Sequence, residues 1–134
     1  EEEITKRMSE EKKGNLLVVE DDEFISAIYS KKLSLEGYAV RLAENGERAL
    51  SMMREEKPDL VLLDILMPVK DGFETLREMR ADEKLRDIKV VVLSNLSEDK
   101  EMSQTRELGA IDYLVKANIA VSDLSAKVVG YLAA

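Results

Sequence analysis

The chain has 134 residues, enough for one domain that buries most of its surface around a single core. Its net charge of −8 argues against non-specific nucleic-acid binding, which needs clustered Lys and Arg. Because the sequence has no cysteine and no histidine, disulfides, thiolate metal sites and histidine-based catalysis are excluded. Neither an apolar run long enough to span a membrane nor a signal-peptide pattern is visible, so we predict a cytoplasmic protein.

The charged start of the chain differs from the rest. Residues 1–14 are dominated by charge, with Ile4 and Met8 four positions apart. This favours a solvated tail or linker, and the frayed end of an upstream helix is the alternative. We predict that residues 15–134 form the folded domain.

Strand-like and helix-like segments alternate five times, which predicts a parallel sheet covered by helices. The predicted strands are 16–20, 39–42, 60–64, 89–93 and 111–115. The predicted helices are 23–36, 47–56, one that begins near Asp71, 97–108 and 120–132. The first helix is expected to turn Phe24, Ile28 and Leu35 inward. The fourth has a thin apolar face and is expected to be the least firmly docked.

Acidic side chains close two of the apolar runs. Glu20 and Asp21 close the run of the first strand, and Asp64 closes the run of the third. Because the carboxyl ends of buried parallel strands meet at one edge of a sheet, these three carboxylates are expected to converge. They would repel one another without a cation, and Mg²⁺ prefers carboxylate, water and phosphate oxygens. We therefore predict a magnesium site in which Mn²⁺ or Ca²⁺ can substitute.

The same edge carries the groups that a phosphoryl transfer needs. An aspartate can attack phosphorus to form an acyl phosphate, and Asp64 is the candidate nucleophile. Ser94 and Lys116 follow the fourth and fifth strands and can supply a hydroxyl and a positive charge to phosphoryl oxygens. Alone, Asp64 or Ser94 would be interpreted as a turn former, and Lys116 as a solvated surface lysine. Their succession at four strand ends favours the chemistry.

With these residues at these strand ends, the chain resembles the receiver domain of bacterial two-component response regulators. The matching stretches are 16–22, 58–64, 67–68, 71–74, 93–94 and 109–116, and the likeness covers residues 16–132. The resemblance implies a flavodoxin-like (βα)5 fold. This fold is a three-layer sandwich around a parallel five-stranded sheet of order 2-1-3-4-5.

The resemblance also assigns roles to residues of the site. It implies that Asp64 accepts a phosphoryl group from a sensor histidine kinase, a phosphotransfer protein or a small phosphodonor. The implied metal ligands are Glu20, Asp21, Asp64 and the backbone carbonyl of Leu66. Ser94 and Lys116 fall on the family's hydroxyl and lysine positions. Tyr113 falls on the aromatic residue that turns inward when the hydroxyl moves towards the phosphate.

By the same resemblance, the fourth and fifth helices with the fifth strand form the surface that switches. This face is expected to dock a downstream protein or effector domain, or to form a phosphorylation-dependent homodimer. The domain either works alone or is part of a larger protein. We expect no direct nucleic-acid contact by this domain and no membrane contact. It is interpreted as a signalling switch that promotes its own phosphorylation and dephosphorylation, rather than as an enzyme.

Three departures from the family's pattern carry information. Ala117 stands where proline usually follows the lysine, so a trans bond is expected, with a strained cis bond as the alternative. Asn95 replaces a small residue beside the pocket, where it can contact the phosphoryl group, narrow access for donors, or form a simple turn. Leu66 and Leu96 replace residues that are often polar and can orient water, which predicts slow dephosphorylation. Alternatively, Leu66 merely packs.

Two other functions compete with this interpretation. One is a magnesium-dependent phosphatase with an aspartyl nucleophile, but such enzymes usually carry that nucleophile at the first strand. The other is a pseudo-receiver that binds partners without phosphorylation, and the full set of acids, hydroxyl and lysine argues against it. Labelling by acetyl phosphate distinguishes the phosphatase from a receiver domain, because a phosphatase would be labelled at the first strand and not at Asp64.

Overall fold

The structure is a computed structural model that describes residues 12–134. The predicted tail falls almost entirely on residues 1–11, which lie outside the described residues. The strands are β1 (Asn15–Val19), β2 (Ala39–Ala43), β3 (Leu60–Leu63), β4 (Lys89–Ser94) and β5 (Asp112–Val115). The helices are α1 (Glu23–Leu35), α2 (Gly46–Glu55), α3 (Gly72–Ala81), α4 (Asp99–Glu107) and α5 (Val121–Ala133), with a 3₁₀ turn at Lys116–Asn118.

All five strands pair in parallel in the order β2-β1-β3-β4-β5, which confirms the predicted flavodoxin-like sheet. The register aligns the ends of the strands. Val19 of β1 lies beside Leu63 of β3, and Ser94 of β4 lies beside Val115 of β5. The residues that follow these strands therefore emerge together at one edge of the sheet.

The core has two halves, one on each face of the sheet. Alternate residues of each strand point to opposite faces, and both faces of the central strands β1, β3 and β4 are covered, so these three are nearly continuous apolar runs. Helices α2 and α3 pack on one face through residues such as Leu50 and Leu76. Helices α1 and α5 pack on the other through residues such as Leu33 and Leu124.

The predicted inward face of α1 was wrong. Phe24 and Leu35 are 78% and 77% exposed, and Ile28 is 42% exposed. The buried apolar residues of α1 are instead Tyr29 and Leu33. Apolar residues occur on more than one side of this helix, so periodicity alone did not determine which side faces the sheet.

Helix α4 is thinly anchored, as predicted. Thr105 is its buried residue, whereas α2 and α3 each bury four or more. Its C-terminal end is held by Arg80, whose guanidinium donates to the carbonyls of Leu108 (2.7 Å) and Gly109 (3.2 Å). At the other end, the capping position Glu98 makes no side-chain cap bond. The N-terminal half of α4, which lies nearer the strand ends, is therefore the less constrained half.

Among residues 12–134, no helix is both long enough and apolar enough to cross a membrane.

Candidate functional site

Three carboxylates meet where β1 and β3 end. Glu20 and Asp64 follow residues that are paired across the two strands, and Asp21 is next in the chain. One oxygen from each of the three lies within 4.8 Å of the others. Glu20 and Asp64 are only 5% and 6% exposed, whereas Asp21 is exposed. The predicted convergence of these acids is thus present in the structure.

Lys116 reaches this cluster from the end of β5. Its ammonium donates to Asp64 Oδ2 at 2.9 Å and to Glu20 Oε1. Burial opposes the charge of this lysine, but the hydrogen bonds to the two carboxylates outweigh it and raise the pKa of Lys116. The lysine is therefore a fixed positive charge at neutral pH.

Backbone donors orient the two buried acids. The N–H of Ile65 donates to Asp64 Oδ1 at 2.7 Å, and the N–H of Asp22 donates to Glu20 Oε2 at 3.2 Å. Burial raises the pKa of Glu20, and the hydrogen bonds from Lys116 and Asp22 offset that rise only in part. A further cation beside Glu20 would stabilise its charged form.

The residues present fit a divalent cation. Three carboxyl groups share a partly buried hollow with a single ammonium, so the acids there outnumber the cation. An all-oxygen carboxylate set is what Mg²⁺, Mn²⁺ and Ca²⁺ prefer. The cluster can hold a metal.

Ser94 and Tyr113 meet at the loop after β4. Ser94 is fully buried, and its Oγ accepts the N–H of Leu96 at 3.3 Å. The half-buried Tyr113 donates its hydroxyl to the Leu96 carbonyl at 2.6 Å, and burial raises its pKa. The side chains of Ser94 and Tyr113 thus both bond to the backbone of Leu96, which lies in the loop between the site and α4.

The structure locates three of the residues that depart from the family's pattern, Ala117, Asn95 and Leu66. Every peptide bond in the described part of the chain is trans, as expected for Lys116–Ala117. Asn95 does form a contact, but with the backbone of Ala117 rather than within its own turn (3.0 Å). Leu66 is 61% exposed, so its side chain packs on the protein only in part.

One structural requirement was missed from the sequence, where residues 71–74 were interpreted as the start of a helix and as a stretch that matches the family. A Cβ added at Gly72 would lie 2.3 Å from the backbone oxygen of Asp64 and 2.7 Å from the Cα of Ile65. The backbone N–H of Gly72 also donates to the Ile65 carbonyl at 2.8 Å. Gly72 therefore lets α3 begin directly against the segment that carries Asp64. The available signal was a glycine eight residues after Asp64, at the start of the predicted helix.

Comparison with known proteins agrees with this geometry. The family model of the response regulator receiver domain matches residues 16–129, so the chain belongs to that family. It is 40% identical over 106 residues to a probable transcriptional regulator ycf27 of Guillardia theta, covering 79% of this chain and 41% of that one. It is 36% identical to the DNA-binding dual master transcriptional regulator RpaA of Synechocystis over 75% of this chain and 42% of that protein. The chain thus spans less than half the length of these relatives.

Solved structures show the same fold. A putative response regulator from Chloroflexus aurantiacus superposes with a TM-score of 0.83 at 29% identity, covering 90% of this chain and 98% of that one. The BeF3-activated receiver domain of Klebsiella pneumoniae RstA gives 0.80 at 32% identity, with 88% and 97% covered. The Mn²⁺-bound form of response regulator Rcp1 gives 0.75 at 28% identity, with 87% and 90% covered. The fold and the acidic hollow are those of a two-component receiver domain.

Proposed function

We propose that Asp64 is the phosphoacceptor of this receiver domain. The observation that carries the proposal is the position of its carboxylate. It is buried, held by the N–H of Ile65 and the ammonium of Lys116, and within 4.8 Å of the acids Glu20 and Asp21. Within residues 12–134, these three acids are the one group whose ligand oxygens lie that close together.

In the proposed reaction, an oxygen of Asp64 attacks the phosphorus of a phosphohistidine or acyl phosphate. A P–O bond to Asp64 forms, the bond from phosphorus to the donor breaks, and the donor leaves with its electron pair. Lys116 already contacts Asp64 Oδ2, so its charge is in place for an oxygen of the transferred group. Ser94 would donate its hydroxyl to a second oxygen.

We propose Mg²⁺ as the metal, held by Glu20, Asp21, Asp64 and the carbonyl of Leu66, with Mn²⁺ or Ca²⁺ able to replace it. When bound, the ion neutralises negative charge on the phosphoryl oxygens. The exposure of Asp21 supports the assignment, because a hydrated ion needs access from solvent.

The proposed switch runs from Ser94 to α4. A phosphoryl group adds nearly two negative charges and three acceptor oxygens. Movement of Ser94 towards it would break the bond from Leu96 N–H to Ser94 Oγ and alter the loop that Tyr113 contacts. The thin anchoring of α4 supports a small free-energy difference between its two positions.

We propose a sensor histidine kinase or phosphotransfer protein as the donor, and an effector domain or partner protein on the face formed by α4, β5 and α5. A groove of about 300 Å³ opens on this face, lined by Met102, Thr105, Arg106, Ala110, Ile111, Asp112 and Tyr113. Since Tyr113 lines the groove, a change in its position would change the surface offered to a partner. A phosphorylation-dependent homodimer through the same face is the other form of output.

Incubation with acetyl phosphate tests the proposed chemistry. We expect intact-mass spectrometry to show a mass gain of one phosphoryl group when Mg²⁺ is present, and none when EDTA removes it. The physical reason is that three acids and a phosphate dianion cannot share the hollow without a divalent cation. A mass gain that is equal with and without the metal would contradict the proposed site.

Replacing Lys116 by Ala is expected to lower the free energy of unfolding in EDTA by about 3 kcal/mol, because two buried carboxylates lose their cation. The Lys116 side chain is 11% exposed, so solvent screens the interaction little. Mg²⁺ should recover part of the loss. Urea unfolding followed by circular dichroism measures it, and the exposed Lys127→Ala is the matched control. A loss below about 1 kcal/mol would show that the ammonium is not needed there.

Replacing Leu66 by Asn is expected to shorten the lifetime of the phosphorylated protein roughly tenfold, because an amide can orient an attacking water and leucine cannot. Leu66 is largely exposed, so the substitution should cost little stability. Loss of the phosphoryl mass over time measures the lifetime. Leu35→Asn, which changes another largely exposed leucine at the end of α1, is the control. An unchanged lifetime in Leu66→Asn would contradict the shielding role.

A further inference from the structure

Two departures from the family's pattern contact each other. Asn95 directly follows Ser94, and Ala117 directly follows Lys116. The side-chain oxygen Oδ1 of Asn95 accepts the backbone N–H of Ala117 at 3.0 Å. This bond, which we call the 95–117 clasp, joins the loop after β4 to the loop after β5.

The clasp gives a partner to the backbone N–H of Ala117, a donor that proline would lack. Ala117 lies in the 3₁₀ turn Lys116–Asn118, and the first N–H groups of a helical turn have no partner within it. The residue before the turn, Val115, provides no side-chain cap. Proline at position 117 would carry no N–H, so alanine creates a free donor that Asn95 then caps from the neighbouring loop. The two replacements therefore act as one structural feature.

The position of the clasp gives it a functional consequence. Ser94 and Val115 are register partners at the ends of β4 and β5, so Asn95 lies one residue and Ala117 two residues beyond the last paired positions. Asn95, at one end of the clasp, is next in the chain to Ser94, which is buried. Ala117, at the other end, is next in the chain to Lys116, whose ammonium contacts Asp64. Ser94 and Lys116, the two residues proposed to bind the phosphoryl oxygens, are thus linked by a hydrogen bond between the residues that follow them.

We propose that Asn95 is a positioning residue that holds the Lys116 loop on the Ser94 loop, so that the two groups bind a phosphoryl group as one unit. The role rests on the proposed function of Asp64. Asn95 itself acts through the backbone of Ala117 and does not need to touch the phosphoryl group. Its amide oxygen is already engaged in the clasp.

The test compares Asn95→Ala with wild type by two measurements. The first is hydrogen exchange of the Ala117 amide, followed by NMR in the free protein. The second is the affinity for beryllium trifluoride, a phosphoryl analogue, in saturating Mg²⁺. Affinity for Mg²⁺ alone is the internal control. Asn95→Asp keeps an acceptor oxygen and serves as the rescue variant for exchange, and Asn118→Ala removes the exposed asparagine of the same turn as the matched control.

We expect the Ala117 amide to exchange about fivefold faster in Asn95→Ala, which corresponds to one neutral hydrogen bond of about 1 kcal/mol. Asn95→Asp should restore slow exchange, and Asn118→Ala should not change it. Affinity for beryllium trifluoride should fall about fivefold in Asn95→Ala, with Mg²⁺ affinity unchanged within twofold. Unchanged analogue affinity in Asn95→Ala would overturn the proposal, even if exchange were faster. Failure of the wild type to bind the analogue would instead overturn the proposed function of Asp64.

Discussion

Asp64→Asn is expected to abolish phosphorylation completely, so that acetyl phosphate and Mg²⁺ give no mass gain. An amide nitrogen or oxygen cannot form the acyl phosphate, because the amide is a much weaker nucleophile than the carboxylate. The fold should survive, since asparagine has the shape of aspartate and its oxygen can still accept the N–H of Ile65. Intact-mass spectrometry measures the modification, and circular dichroism checks the fold.

Asp59→Asn is the matched control for this experiment. Asp59 lies just before the other end of β3, where its exposed carboxylate accepts the N–H of Asn15 at 2.8 Å. Asparagine can keep that bond, so this variant should be phosphorylated like the wild type. Equal labelling of Asp64→Asn and the wild type would mean that the modified group lies elsewhere.

Gly72→Ala is expected to cost about 3 kcal/mol of unfolding free energy and to displace the Asp64 segment. The added methyl group would meet backbone atoms of Asp64 and Ile65 at 2.3 and 2.7 Å, and backbone cannot rotate away as a flexible side chain can. Phosphorylation by acetyl phosphate should therefore slow as well. Urea unfolding measures the first effect and the rate of mass gain measures the second.

Gly130→Ala is the contrasting variant. Gly130 lies within α5, where an added Cβ would meet nothing within 4 Å. Alanine is the better helix former, so this change should stabilise the protein by up to about 1 kcal/mol and leave phosphorylation unchanged. If both glycine variants had the same stability, the close approach of α3 to the Asp64 segment would not be as the structure shows.

The sheet and the meeting of the acids were predictable because parallel strands impose both. Buried strands give continuous apolar runs, and their carboxyl ends share one edge, so Glu20 and Asp64 had to be neighbours once β1 and β3 were paired. The lysine at the end of β5 followed from the same rule. The strand order came from family resemblance, since the alternation alone does not specify it.

Other features depend on three-dimensional details that the sequence pattern does not encode. The orientation of α1 was wrong because Phe24 and Leu35 are as apolar as the residues that the helix buries. The role of Gly72 depends on how closely α3 approaches β3, which no local pattern shows. The bond between Asn95 and Ala117 joins residues 22 positions apart, and each departure was visible from the sequence only on its own.

Locating the acyl phosphate within the chain tests the central claim most directly. Borohydride reduces an aspartyl phosphate to homoserine, so peptide mapping after reduction identifies the residue that carried the phosphoryl group. We predict homoserine at position 64 in the wild type and at no position in Asp64→Asn. Homoserine at Asp21 or Asp22 at the end of β1, as an aspartyl phosphatase would give, would contradict the account.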